Sequence, residues 1–60
     1  MEYEIASKVL RTKRGSEVYV ARNLQGELFR YCSGCNTHEF KSDMAPALAA
    51  IVEHAKSCRK

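Results

Sequence analysis

The sequence predicts a small α+β domain in which a three-stranded antiparallel meander leads into one C-terminal helix. Three observations carry that prediction. Three β-rich runs are separated by short Gly-containing turns, one 3.6-residue apolar repeat fills the end of the chain, and the three cysteines sit at a strand-to-turn junction and at the helix end. A chain of 60 residues is a single domain, residues 1–60. In one so small, apolar burial roughly cancels the ordering entropy of about 1.5 kcal/mol per residue. Something further must hold the fold.

"EIASKVLRT" reads as the first strand, about 4–12, and "KRGS" as a turn in which Gly15 supplies an unusual backbone angle. "EVYVAR" (17–22) is β-branched and aromatic, a second strand. After the turn "NLQG", the run "ELFRYC" (27–32) is a third strand that delivers Cys32 to a knuckle spanning 32–35. "NTHEF" is expected to be a polar connection whose only large apolar side chain is Phe40. Ser42 or Asp43 can cap a helix over about 43–58, in which Pro46 is tolerable only in the first turn. Met44, Ala47, Leu48, Ile51, Ala55 and Cys58 form its apolar stripe, with His54 at the edge and Glu53, Lys56, Ala49 and Lys60 opposite. Val18, Val20, Leu28 and Tyr31 are the strand residues expected beneath it.

Three cysteines cannot all pair within one chain, so a disulfide scaffold is not expected. The opening "MEYEIASKVL" has no apolar run of signal-peptide or membrane-span length. A cytoplasmic, reducing location is expected, where close-spaced cysteines serve as metal ligands or redox groups. "YCSGC" and "HAKSC" decide between the two. His54 and Cys58 are one helical turn apart on one face, so C-x-x-C, 18 intervening residues (36–53) and H-x-x-x-C make a closed set of three sulfurs and one nitrogen. Cys32, Cys35, His54 and Cys58 are therefore the expected ligands of one structural zinc, a set that also accepts iron or cobalt. His38, three residues after Cys35, is the competing imidazole. Gly34 suits a knuckle that needs a positive φ. A redox dithiol is disfavoured because the pair does not open a helix after a parallel strand. With four protein ligands no position remains for an activated water, so no enzyme is expected.

These residues resemble the zinc fingers of ββα type, in the CCHC variant with cysteine as the fourth ligand. The resemblance covers Tyr31 to Arg59, about half the chain. Ile51 stands where such fingers carry a large apolar residue three positions before the first helical ligand, and Phe40 stands for their aromatic after the knuckle. The chain departs from the pattern in three places: the interval between ligand pairs is longer, Phe40 is one position late, and Arg30 occupies a position two before Cys32 where an aromatic is expected. The closing "HAKSCR" is also loosely similar to the ends of small uncharacterised zinc-finger proteins of actinobacteria and their mobile elements, which implies no activity.

Ten Lys+Arg against seven Asp+Glu give a formal charge of +3. Three thiolates and one zinc ion together add about minus one to it. Arg11, Lys13 and Arg14 cluster at the first turn, a place suited to phosphate contact, with Arg22, Arg30, Lys41 and Lys60 as further candidates. The helix start "DMAPALAA" lacks the Arg, Asn, Gln or Asp that read base edges, so DNA would be met mainly at its backbone. The expected function is thus a non-catalytic binding module for nucleic acid. The alternative is a protein-interaction module using the helix flank at Ala45, Ala49 and Ala50 or a sheet edge. No membrane partner and no small-molecule substrate are expected.

Overall fold

The computed structural model describes residues 3–59; Lys60 lies outside them. The expected α+β order is present, with a larger sheet than the three strands anticipated. Five strands, β1 (Glu4–Ile5), β2 (Leu10–Arg11), β3 (Glu17–Arg22), β4 (Leu28–Cys32) and β5 (Thr37–Lys41), precede one helix, α1 (Met44–Ser57). The sheet runs β1-β3-β4-β5 with β2 also on β3, and every pairing is antiparallel.

The first expected strand is broken in two. β1 pairs Ile5 with Ala21 and β2 pairs Leu10 with Val18, a register shift of two residues absorbed by 6–9. Ala6 N–H donates to Val20 O at 2.7 Å, and Val20 N–H donates to Ser7 Oγ at 3.0 Å. The serine hydroxyl thus replaces a strand carbonyl, so the Val20 N–H keeps a partner across the break. Because the shift is even, side chains keep their faces through it.

The second difference concerns "NTHEF", of which Thr37 to Phe40 belong to strand β5 and only Asn36 to a turn. Cys32 lies opposite Thr37, Tyr31 opposite His38, Arg30 opposite Glu39 and Phe29 opposite Phe40. Its helix-side positions are Thr37, Glu39 and Lys41, the last two paired with each other at 3.0 Å, so no apolar residue marks that face of the strand. β4, the knuckle, β5 and α1 consequently follow one another in ββα order. The interval between ligand pairs, 36–53, holds Asn36, the five residues of β5, the two-residue turn 42–43 and the first ten residues of α1.

α1 covers one face of the sheet. Val18, Val20, Cys32, Ala47, Ile51 and Cys58 form the buried cluster, joined by Ala6, Leu10, Leu28, Cys35, Met44 and Ala55. Tyr31 is not among them, because in a strand neighbouring side chains point to opposite faces and Cys32 takes the helix side. Tyr31 pairs with Tyr19 on the open face, ring centroids 5.2 Å apart. Leu48 is also off the buried stripe, 41% exposed. Pro46 falls in the first helical turn, as steric limits require, while Asp43 occupies the N-cap position without a side-chain cap.

Candidate metal centre

The site is assembled from two local structures. The first is the four-residue turn 33–36 between β4 and β5, which places Cys32 on the last strand position and Cys35 in the loop. Ser33 N–H donates to Glu17 O, and Glu17 N–H donates to Ser33 Oγ, both at 2.9 Å, tying this turn to the start of β3. The residue with positive φ is Asn36 at 54°, one place after Cys35, and not Gly34. Asn tolerates that region better than most side chains because it is short and polar.

The second local structure is the end of α1. Cys58 is the C-cap, extended at φ −74 and ψ 132, and its N–H donates to His54 O at 2.8 Å. This last bond keeps His54 and Cys58 one turn apart while the chain leaves the helix. Ile51, 1% exposed, pins the preceding turn to the sheet.

The ligand atoms of Cys32, Cys35, His54 and Cys58 all lie within 4.8 Å of one another, close enough to hold one metal ion. Cys32 Sγ is 3.8 Å from Cys58 Sγ, Cys35 Sγ is 3.3 Å from Cys58 Sγ, and Cys35 Sγ is 3.5 Å from His54 Nε2. A tetrahedron with Zn–S of about 2.3 Å and Zn–N of about 2.0 Å has S···S edges of about 3.8 Å and S···N edges of about 3.5 Å. The spacing is thus compatible with zinc. It is not that of a disulfide, whose sulfurs bond at about 2.05 Å, and all three thiols are free.

The electrostatics of the cluster follow from its crowding. Hydrogen bonding to Cys58, then desolvation and hydrogen bonding to Cys32, push the Cys35 thiol up to about 11, with charge repulsion from the two neighbouring sulfurs adding to it. His54 is held below its ordinary value by burial first and by the Arg30 guanidinium second, partly offset by Glu39. Arg30 Nη1 is 3.3 Å from His54 Nδ1 and its Nη2 is 3.9 Å from Glu39 Oε1. With its side chain only 13% exposed, Arg30 is a neighbour of the site in place of the aromatic expected there.

His38 is not part of the cluster. Its ring lies on the open face, 5.8 Å from Phe29 and 6.3 Å from Tyr3. Phe40 is also on that face, 55% exposed, and does not fill the place of the finger aromatic. One position late in a strand means the opposite side of the sheet.

The basic candidates are dispersed. Arg11 pairs with Glu17, Arg22 with Glu4, and Arg30 and Lys41 with Glu39. Lys13 and Arg14 occupy the β2–β3 turn and line a cleft of about 430 Å³ together with Lys56, Ser57, Cys58 and Arg59. Sequence reasoning missed Lys56 and Arg59 because the cleft joins the first turn to the far end of the chain, a proximity with no local signal. No helix among the described residues is long and apolar enough to cross a membrane. No family model, no curated protein and no solved structure matches the chain.

Proposed function

We propose that the protein is a non-catalytic, zinc-finger-like binding module in which Cys32, Cys35, His54 and Cys58 hold one structural zinc ion and a basic cleft meets the phosphates of nucleic acid. The observation that carries the zinc reading is that all four donor atoms lie within 4.8 Å of one another, three of their separations being 3.3 to 3.8 Å, close to the edges of one coordination tetrahedron. Bound there, the ion would tie the strand-end turn to the helix end. Such sites contribute about 10 kcal/mol or more to folding. All four donors come from the chain, which leaves no position for a reacting water and supports a structural role.

What supports nucleic acid is the gathering of Lys13, Arg14, Lys56 and Arg59 around one cleft. No ion pair is formed by Lys13 or Arg14 among the described residues. Point charges on long stems suit backbone contact without base reading. A second reading, protein contact, is favoured by Leu48 and Val52 on the outer side of α1, 41% and 42% exposed beside exposed Ala45 and Ala49.

Zinc titration of the metal-free chain, followed by amide and imidazole NMR, tests the first part. One equivalent should fold the chain and move only the His54 ring to metal-bound shifts. Movement of His38 instead, or a chain already folded without metal, overturns the ligand set. Binding of labelled DNA by the zinc-loaded protein tests the second part. Its logarithmic salt slope should fall by about 0.9 for each phosphate contact removed, as in Lys13→Glu and Arg14→Glu. Binding that ignores both salt and these substitutions, and is lost in Leu48→Glu, favours the protein reading.

A further inference from the structure

The face of the sheet opposite α1 carries rings. Register sets them in two rows: Tyr19, Tyr31 and His38 are successive cross-strand partners on β3, β4 and β5, and Phe29 and Phe40 are partners in the next row. Tyr3 closes the row at one side, its ring 5.7 Å from Phe29 and perpendicular to it. Among the described residues no element covers these rings. A shallow hollow of about 90 Å³ opens among them. Rows two residues apart on a strand are separated by about 6.8 Å.

From this geometry we propose that the open face is a stacking platform for unpaired bases, so that the partner is single-stranded nucleic acid. The inference rests on the nucleic-acid reading of the basic turn for its phosphate contacts. Aromatic rings on a flat sheet offer π faces that any exposed base can cover, whereas a duplex keeps its base faces inside the stack. The row beyond Tyr19 holds Arg11 opposite Glu17, and the chain then turns through Lys13 and Arg14. Beyond that pair stand Lys13 and Arg14, which form no ion pair among the described residues and line a cleft with Lys56 and Arg59 at the end of α1. A strand whose bases cover the rings can pass its phosphates to that turn.

A second copy of the chain is a poor occupant. Three strands about 4.8 Å apart and two side-chain rows about 6.8 Å apart define a patch on the order of 200 Å². A stable interface needs about 800 Å² from each partner.

The test is anisotropy of the zinc-loaded full chain with labelled oligothymidylate and with a duplex of equal length, at low salt. The single strand should bind about tenfold more tightly. Tyr31→Leu and Phe40→Leu, which keep apolar bulk and remove the ring, should each weaken the single strand by about tenfold and leave duplex binding unchanged. Lys13→Glu with Arg14→Glu should weaken both. In the unaltered protein, where no variant can misfold, the ring protons of Phe29, His38 and Phe40 should shift upfield on adding the oligonucleotide. Equal binding of both forms, with silent rings but loss in the charge-reversed variant, overturns the platform and leaves the basic cleft standing. No binding of either form overturns both. Ring shifts that depend on protein concentration alone would assign the face to a second copy and overturn the proposal.

Discussion

The two faces of one sheet are built on different principles. On the helix side, Val18, Val20 and Cys32 are fully buried, and the cover is a helix whose end carries two of the four donor residues. On the open side the side chains are larger, Phe29 touching Phe40, His38 and Tyr3 at 5.7 to 5.8 Å, yet nothing among the described residues lies over them. The smaller side chains hold the fold because they are sealed, and the larger ones contribute less because water still reaches them. Size on this sheet separates what is available to a partner from what is committed to stability.

The largest test of that contrast removes the metal. Chelation, or Cys58→Ser, should unfold the chain, with loss of far-UV strand signal and of amide dispersion; a folded apo-protein would mean that the helix face holds without its ion. Within the same experiment, pH tests the donor set. One proton leaves with each cysteine that becomes a thiolate, and in the unfolded metal-free chain a thiol has its ordinary value of about 8.5 and is protonated at neutral pH. A histidine in that chain has its ordinary value of about 6.5 and is largely neutral above it. The logarithm of zinc affinity should therefore rise with pH at a slope of about three between about pH 7 and 8, measured by chelator competition. A slope of two would remove one cysteine from the set.

Next in size is a matched pair of truncations. Ile51→Ala on the sealed side should cost about 3 kcal/mol in denaturant unfolding of the zinc-loaded chain. Phe40→Ala on the open side should cost less than about 1 kcal/mol, although it removes more atoms. Equal costs would break the contrast. At the turn between β4 and β5, Asn36→Val should destabilise by about 1–2 kcal/mol while Asn36→Gly is nearly neutral, because φ is 54°. The smallest effect belongs to the exposed pair Arg11–Glu17, at 3.4 Å, where Glu17→Gln should change stability by no more than about 0.5 kcal/mol.

The sealed side was the more legible in the sequence. The C-x-x-C and H-x-x-x-C spacings, and the stripe through Ala47 and Ile51, follow from backbone geometry that short separations fix. β5 was not legible, because its helix-side positions are Thr37, Glu39 and Lys41, the last two an ion pair, where apolar residues were sought. The break at 6–9 was hidden because a serine hydroxyl can stand in for a carbonyl without altering the hydrophobic pattern. Tyr31 could have been placed from its neighbour: a buried Cys32 at the strand end sends residue 31 to the other side. The cleft of Lys13, Arg14, Lys56 and Arg59 depends on tertiary folding and left no trace in either segment.

The β4–β5 register also acts as a selector between two histidines. Were β5 to slip by one residue, every side chain on it would turn over. His38 would then face the thiols and Phe40 would lie beneath the helix, so the chain would carry a rival ligand set on the same cysteines. The left-handed backbone at Asn36 and the pairing of Arg30 with Glu39 hold the observed alignment. A bend one residue beyond a cysteine thus sets which imidazole lies beside the three thiols.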